Sequence, residues 1–397
     1  MGHSSIARIT SLAAAGSLFL CSGAGAETTV VPQASIKYEY NSNVFEVPPG
    51  DPLLVAQGDL QRADTTEYFI GGVTFVGNYD QQKVTLNLQG REIRYNHYTR
   101  LDHSEYLGDA RLDWVLNSRI DGDLDYSRDH SMVAFMNRES LQLEVDTSQD
   151  ASAKVNIKLP SNFKVSGGFE NHDVETPLPL FPQAGTIDNT ARLGLSYYGQ
   201  TNLSYGLEFS RIDGKFRNNI EPASYSQSNG DFIFNYGNGT LSKVTGSIGY
   251  SSRKDDGIDS TSSGLTGSIA FSRQLTAKTS IKAQLSRGIS SYVVGGGAET
   301  DTTATLGATW AATYKISVDA SISHTHSVFG KQAFGEAIDT GRSDQYSVAN
   351  LAMTYQFLRW LAVRPYARYE KRQSNTAEFT YDGSLIGIEL AGKYGQH

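Results

Sequence analysis

Strict alternation of apolar and polar side chains is the feature that most limits how this chain can fold. It is clearest in residues 105–130. The apolar members are Ala110, Leu112, Trp114, Ile120, Leu124 and Tyr126, and the polar members between them are Asp109, Arg111, Asp113, Arg119, Asp121, Asp123 and Asp125. Such alternation is typical of strands with one apolar and one polar face. Asn117 and Ser118 lie between the two runs, so the segment predicts a β-hairpin.

The same hairpin pattern recurs along almost the whole chain of 397 residues. Mean hydropathy is −0.36. After the N-terminal segment there is no apolar run of about 18 residues, so a transmembrane helix is excluded. A membrane-spanning barrel accounts for these observations together, because each of its strands is apolar on one face only. The sequence therefore predicts an all-β protein, a transmembrane antiparallel up-and-down β-barrel in the outer membrane of a Gram-negative bacterium.

Turn signals set the expected number of strands. Eight short polar turns are predicted on the periplasmic side, at 77–82, 116–119, 160–162, 199–202, 237–240, 274–278, 311–314 and 356–360. Nine longer loops are predicted on the outer side, at 46–63, 98–103, 132–139, 176–187, 217–224, 254–259, 293–298, 330–340 and 374–379. These connections join about 18 strands. Residues 140–159 keep one apolar parity and predict one long strand that projects beyond the bilayer. Loop 46–63 is partly apolar and is expected to fold into the mouth.

The first 26 residues have the features of a secretory signal peptide. Arg8 supplies the positive charge, residues 12–20 form the apolar core, and Ala24-Gly25-Ala26 is a cleavage site. Cys21, the only cysteine, lies within this segment. We therefore expect residues 27–397 to form a single barrel domain without disulfides.

Aromatic residues and prolines support this topology. The only tryptophans, Trp114, Trp310 and Trp360, each lie within a few residues of a predicted inner turn. This placement predicts an aromatic girdle at the inner membrane boundary, although aromatic residues also favour strand ends in general. Pro365 falls within a predicted strand, where it predicts a bulge or a local break.

The polar parity of several strands carries charges that predict a pore lining. The candidate residues are Asp109, Arg111, Asp113, Arg119, Asp121, Asp123, Asp125, Lys154, Lys158, Lys164, Arg364 and Arg368. One interpretation is a charged surface that attracts cations, sugar hydroxyls or an anionic polymer. The alternative is a solvated wall whose ion pairs fix the register of neighbouring strands. Because acids and bases are mixed, we expect no strong ion selectivity.

Enzymatic and nucleic-acid-binding functions receive little support. Paired carboxylates for glycoside hydrolysis need a defined separation that alternation does not indicate. His324 and His326 share a strand face, but a metal site would need further ligands. The net charge of −8 gives no basic stripe for nucleic acid. We therefore predict neither catalysis, nor a metal, nor a cofactor.

The segment 38–48 (YEYNSNVFEVP) resembles the first-strand signature of exopolysaccharide-associated outer-membrane barrels of the EpsL/VpsM type, close to the beta-barrel porin-2 group. The matching positions are Asn41, Ser42, Asn43, Val44, Phe45 and Pro48, followed by Asp64, Thr65, Arg94, Tyr95, Leu101, Asp102, Tyr106, Leu112 and Trp114. Asn41 stands where the family has an acid, and Glu46 where it often has arginine. The likeness covers roughly the first third of the chain.

This resemblance implies a passive conduit or accessory pore for exopolysaccharide synthesis or export. The expected partners are then the lipid bilayer, the polysaccharide and periplasmic export components. Two other functions stay open from the sequence: a general diffusion porin for small solutes, and an outer-membrane hydrolase.

Overall fold

Eighteen antiparallel strands form one sheet that closes on itself. The computed structural model describes residues 27–56, 58, 60–137, 141–175, 185–199, 202–217, 224–238, 241–256, 260–292, 297–331 and 341–394. The strands, β1 to β18 in chain order, are Glu27–Asn41, Asp64–Tyr79, Gln82–Tyr95, His103–Asn117, Ile120–Met132, Val145–Lys158, Phe163–Glu175, Thr186–Tyr198, Leu203–Phe216, Ser224–Asn238, Ser242–Asp255, Ser260–Thr276, Thr279–Tyr292, Gly297–Ala311, Ile316–Phe329, Ser343–Leu358, Leu361–Ser374 and Tyr381–Lys393.

Every strand pairs with its neighbours in sequence, and β1 closes the barrel by pairing with both β2 and β18. The predicted fold class, the eighteen strands and the alternation of short turns with longer loops are confirmed. Parts of several connections, and the predicted signal peptide, lie outside the described residues. The helical segments are short: α1 spans Pro52–Ala56, and 3₁₀ turns occupy Thr99–Leu101, Phe135–Asn137, Pro160–Asn162 and Ala377–Phe379. No helix in the described part of the chain is long and apolar enough to cross a membrane.

Strand register assigns each residue to the outer or the inner face, because directly paired residues share a face. Ile36 and Tyr38 pair with Leu390 and Ile388, and all four side chains are exposed on the outer face. Lys37, between them, points inward. The register also assigns 65–76 and 346–357, whose faces the sequence pattern leaves open: Phe69 and Leu351 point outward, whereas Thr66 and Asn350 point inward.

Local chemistry explains the tight inner turns. The side-chain oxygen of Asn117 accepts hydrogen bonds from the backbone N–H groups of Arg119 and Ile120, at 2.8 and 3.1 Å. This is the short side-chain-to-backbone bridge that favours asparagine in turns. At the turn after β6, Ser161 and Asn162 adopt positive φ angles of 61° and 63°.

Pro365 interrupts strand pairing as predicted. The pairing of β16 with β17 runs to Ala352–Tyr366 and resumes at Tyr355–Val363 in the same register. Pro365 has no backbone N–H to donate, and it keeps its place opposite Ile388 of β18. The break is therefore confined to one side of the strand.

The prediction of one long strand over 140–159 is wrong. Strand β6 begins only at Val145. Leu141 instead lies buried in a cluster at the outer mouth, with Leu143 packed against it. The error arises because an apolar residue at alternate positions serves equally well on a lipid-facing strand or in a folded loop.

Two glycines on the outer face provide a test of wall packing. A Cβ at Gly246 would lie 2.5 Å from the Ser268 carbonyl oxygen and 2.7 Å from the Phe234 ring, whereas a Cβ at Gly71 would meet nothing within 4 Å. We predict that Gly246→Val lowers the free energy of unfolding by about 1–3 kcal/mol, the usual cost of overpacking. The matched variant Gly71→Val should change it by less than about 0.5 kcal/mol. Urea unfolding in lipid vesicles measures both, and equal losses would contradict this packing.

Candidate functional site

The inner face of the barrel carries almost all the predicted pore-lining residues. Strand register places on this face Asp109, Arg111, Asp113, Asp121, Asp123, Asp125, Lys154, Lys158, Lys164, Arg364 and Arg368. Arg119 is the exception, and its prediction is wrong. It lies in the turn between Asn117 and Ile120, where the chain reverses and the alternation of faces no longer applies.

Arg111 partly neutralises the acidic part of the wall. Its guanidinium lies 2.8 Å from Asp113, 2.9 Å from Asp125 and 3.7 Å from Asp123. Asp109 instead accepts a 2.7 Å hydrogen bond from the Asn87 amide. The Arg111 side chain remains 46% exposed, so water screens these ion pairs and each is weak. A solute entering the lumen would still find an excess of carboxylates on β4 and β5.

Basic groups lie on neighbouring strands and balance the acids locally. Lys158 lies 2.7 Å from Asp121, and Lys154 is the register partner of Asp123. On β17, Arg368 lies 2.7 Å from Glu370 and donates to the Tyr346 hydroxyl at 2.8 Å. Arg364 of the same strand lies 3.8 Å from Glu389. Arg364 with Glu389, and Lys154 with Asp123, are cross-strand register partners, the arrangement that stabilises register, whereas Arg368 and Glu370 lie on the same strand. The lumen is therefore mixed in charge.

Loop 1 (residues 42–63) folds into the outer mouth and forms the centre of a buried cluster. Phe45 is fully buried, with its ring centroid 4.6 Å from Tyr98 and 5.0 Å from Phe135. Leu54 of α1 and Leu101 are buried in the same cluster. The Asn43 amide holds the loop in place by donating to the carbonyls of Val47 and Asp382, at 2.9 and 3.0 Å. The prediction that this loop enters the mouth is confirmed.

Loop 3, of which residues 133–137 and 141–144 are described, also enters the mouth. It follows β5, yet the carbonyl of Met136 accepts a hydrogen bond from Arg372 of β17. In the sheet, β18, β1, β2, β3 and β4 separate these two strands. Loop 3 therefore reaches across the lumen, and together with loop 1 it narrows the outer entrance of the barrel.

A buried charged cluster fixes this crossing point. The carboxylate of Asp344 on β16 forms salt bridges with Arg342, at 2.8 Å, and with Arg372. All three residues are almost completely buried from solvent. The Arg342 guanidinium also lies over the rings of Phe379 and Phe329, at 3.4 and 4.3 Å from their centroids. Buried charges are tolerated only when they are paired in this way. The cluster therefore holds loop 3 rigidly.

Arg342 and Asp344 are not among the site residues predicted from the sequence, although their spacing is a signal that a sequence can carry. An arginine followed two residues later by aspartate puts both side chains on one face of a strand. The spacing occurs seven times in the sequence, and at 111–113, 211–213, 253–255 and 342–344 the arginine Nε contacts the carboxylate at 2.8–3.3 Å. Only register and burial distinguish these four pairs from one another.

Glu46 of loop 1 provides a titratable group at the narrowed mouth. Burial and the nearby Glu370 carboxylate raise the pKa of Glu46 from the usual 4.5 to about 7, and a backbone hydrogen bond with Met136 and the charges of Arg368 and Arg372 oppose this only in part. Its φ of 56° is positive, a strained conformation for a residue with a Cβ. The carboxyl group thus links loop 1, loop 3 and β17.

Neither histidine of the 324–326 pair lies in the lumen. Both share the outward face with Ile322, and the His324 Nδ1 lies 2.9 Å from the Ser347 hydroxyl. Within the described ranges, no group of three or more His, Cys, Asp or Glu side chains could hold a metal ion.

The three tryptophans lie on the outward face, near the inner turns. Trp114 covers Gly122 on the neighbouring strand, and Trp310 and Trp360 are about half exposed. Above them the outward face carries a broad apolar belt, with Leu193, Phe209 and Ile386 each about 60% exposed. A surface of this kind is stable only in contact with lipid.

The protein is therefore a closed eighteen-stranded β-barrel of the Gram-negative outer membrane. No protein-family model and no curated protein matches the chain. Among solved structures it is similar to OccK2 (OpdF) of Pseudomonas aeruginosa, with a TM-score of 0.50, 11% identity and coverage of 94% of this chain and 98% of that one. OpdO and the outer membrane protein OpdK of the same organism give TM-scores of 0.49 and 0.47 at 12% and 13% identity, over 94% and 92% of this chain and 98% of each of theirs. These likenesses concern the fold.

We predict that the mouth opens as pH rises. Because the pKa of Glu46 is raised in the folded mouth, the docked state of loop 1 binds a proton more tightly than the unfolded chain does. The stability that this proton contributes is fully present below about pH 4.5 and is lost as the pH rises through 7. Single-channel recordings should show more frequent open states at pH 8 than at pH 6. Glu46→Gln should remove this dependence. Glu378→Gln, which alters an exposed carboxylate in another outer loop, should retain it. A native barrel insensitive to pH over this range would contradict the assignment.

Proposed function

We propose that this barrel is a passive diffusion channel for small water-soluble solutes across the outer membrane. The observation that carries the proposal is the narrowed mouth. Loops 1 and 3 enter the lumen and are fixed by buried contacts, above all the hydrogen bond from Arg372 to the Met136 carbonyl. A polar wall below the constriction suits hydrated solutes. A constriction of this kind favours small molecules over a folded or bulky polymer.

The mixed lumen supports weak rather than strong charge selection. Lys158 on β6 pairs with Asp121 of β5, and Arg368 on β17 pairs with Glu370 of its own strand. Arg111 has the largest local effect because three carboxylates surround it. Its removal would leave an uncompensated acidic surface.

Planar-bilayer recording tests both the channel and its selectivity. The purified barrel should conduct potassium chloride with weak selectivity. Arg111→Gln should shift the reversal potential toward cations and raise the ratio of cation to anion permeability by several-fold. Arg211→Gln is the matched control, because Arg211 makes the same contact with Asp213 at 3.0 Å but points outward. An inert barrel would refute the channel, and equal shifts in both variants would refute the role of Arg111.

The same proposal includes the domain organisation: residues 1–26 direct export and are removed, and residues 27–397 form the barrel. Mass spectrometry of the membrane-inserted protein checks this. A mature chain that retains residues 1–26 would contradict it.

Participation in exopolysaccharide export is a second candidate, supported by the likeness of segment 38–48. Asn43 and Phe45 of this segment seat loop 1 in the mouth, which gives the motif a structural role. Export of a polymer would require loops 1 and 3 to leave the lumen. Deletion of the gene decides between the candidates: loss of surface polysaccharide, with polymer retained in the periplasm, would favour export. Unchanged polysaccharide together with measurable conductance would favour the small-solute channel.

A further inference from the structure

A shallow groove crosses the lipid-facing side of five strands, β14 to β18. Its volume is about 520 Å³. The floor consists of small side chains, those of Ala308, Ala320, Ala349 and Ala367. The larger side chains of Ile322, Leu351 and Ile386 line the groove, and each is more than half exposed. Strands at a spacing of about 4.8 Å give the groove a width of about 19 Å, so parallel hydrocarbon chains have space in it.

Strand register places a polar row directly above this groove, on the side of the outer loops. The top row of the groove consists of Leu306, Ile322, Ala349, Tyr369 and Ser384. The next row on the same face consists of Ala304, His324, Ser347, Lys371 and Asp382. The outward face therefore changes from apolar to polar within one row, which is the pattern expected where hydrocarbon meets the headgroups of the outer leaflet.

The polar row belongs to a basic sector of the outward face. Outward positions of β13 to β17 carry Arg287, His324, His326 and Lys371. All residues of these strands are described, and none of their outward positions holds a carboxylate. Asp382 of β18 borders the sector. In contrast, the outward positions of β2, β3, β7 and β9 include carboxylates. A basic sector at the level of the headgroups attracts anionic groups.

The charged groups beside the groove are not paired with each other. Lys371 and Asp382 lie directly opposite one another in register, and both side chains are exposed. In the part of the chain that the structure describes, neither side chain forms a salt bridge or a hydrogen bond. His324 contacts the Ser347 hydroxyl through Nδ1, at 2.9 Å, which leaves Nε2 for another contact. An ammonium group, an imidazole nitrogen and a carboxylate are therefore available to one ligand.

A second cavity adjoins this row at the outer end of β17 and β18. It has a volume of about 380 Å³, and both Lys371 and Asp382 line it. Pro48 and Pro49 of loop 1, together with Thr380, contribute to its wall. The apolar groove on the lipid-facing wall therefore meets a polar cavity at Lys371. Two adjoining spaces of this kind match a molecule that has hydrocarbon chains at one end and a large polar head at the other.

We propose that the groove and the cavity bind the phosphorylated glycolipid of the outer leaflet, a sugar phosphate that carries several acyl chains. The acyl chains lie in the groove against Leu351 and Ile386. A phosphate group accepts hydrogen bonds from the Lys371 ammonium and from the Nε2–H group of His324, and sugar hydroxyls donate to Asp382.

Charge complementarity favours this occupant over a second copy of the barrel. In a two-fold symmetric dimer the same surface meets itself, so the basic sector would face another basic sector. A phosphate-bearing lipid instead brings opposite charge to the row above the groove. The site lies on the outward face of the wall, so it is independent of the channel proposed above.

Photolabelling of the barrel in phosphatidylcholine vesicles tests the proposal. The probe is lipid A, a phosphorylated and multiply acylated glucosamine disaccharide, with a diazirine in one acyl chain, and adducts are mapped by mass spectrometry. We expect adducts concentrated in β14 to β18. Lys371→Gln should reduce these adducts about fivefold, the effect of losing one exposed charge contact. Lys254→Gln is the matched control, because Lys254 is an exposed outward lysine on β11, beyond the groove. Its labelling should equal that of the native barrel.

Two further measurements separate the acyl chains from the phosphates. Ala349→Trp fills the groove and should reduce the adducts about tenfold, whereas Gly71→Trp, which enters open space on β2, should leave them unchanged. Unlabelled lipid A should compete with the probe, and lipid A without its phosphates should compete about fivefold less well. Equal competition by the two lipids, or equal labelling of the native barrel and Lys371→Gln, would overturn the recognition of phosphate.

Adducts spread evenly around the belt would overturn the site itself. Disulfide-linked dimers of Ala349→Cys would show a second barrel as the occupant, since the sequence has no cysteine apart from Cys21. Urea unfolding of each variant shows whether it is folded, and Lys371→Gln keeps the test decisive if Ala349→Trp is not. Ion conductance is recorded in parallel and should be native in Lys371→Gln, so that failure of the lipid site is distinguished from failure of the channel.

Discussion

The structure depends on one constraint: every backbone hydrogen-bonding group within the bilayer needs a partner in the protein. The pairing of β1 with both β2 and β18 satisfies this constraint, because it leaves the sheet without a free edge. Closure then divides each strand into a lipid face and a lumen face. The lumen, the mouth and the charged wall all follow from that division. Among the described residues, this pairing lapses between the outer ends of β12 and β13 and beside Pro365 of β17.

Apolar side chains perform two tasks that look identical in the sequence. Most cover the outside of the barrel, where the lipid favours them. A second group, centred on Phe45, forms a buried cluster within the outer mouth. The burial of these side chains holds loops 1 and 3 inside the lumen. The width of the outer entrance therefore depends on the stability of the two loops. Leu141 belongs to this second group although its parity suggested the first.

Charged side chains show the same dependence on context. The Arg111–Asp113 pair is solvated on the lumen wall, and the Arg211–Asp213 pair faces outward. The pairs beginning at Arg253 and Arg342 are buried and hold inward-folded segments in place. Identical spacing therefore supports pore lining in one place and loop anchoring in another. Burial makes the difference, since low polarity strengthens a pair and makes an unpaired charge costly.

The sequence by itself determined the class of fold, the number of strands, the position of the turns and the inward face of the charges at Asp109 and Lys154. These follow from short-range rules, because alternation fixes faces and turn residues fix reversals. It did not determine that Leu141 leaves β6, that Arg119 lies outside the wall, or that Arg372 reaches loop 3. It also did not reveal that the pairing of β12 with β13 begins only at Gly267. Such features depend on contacts between segments far apart in the chain, which only closure of the barrel brings together.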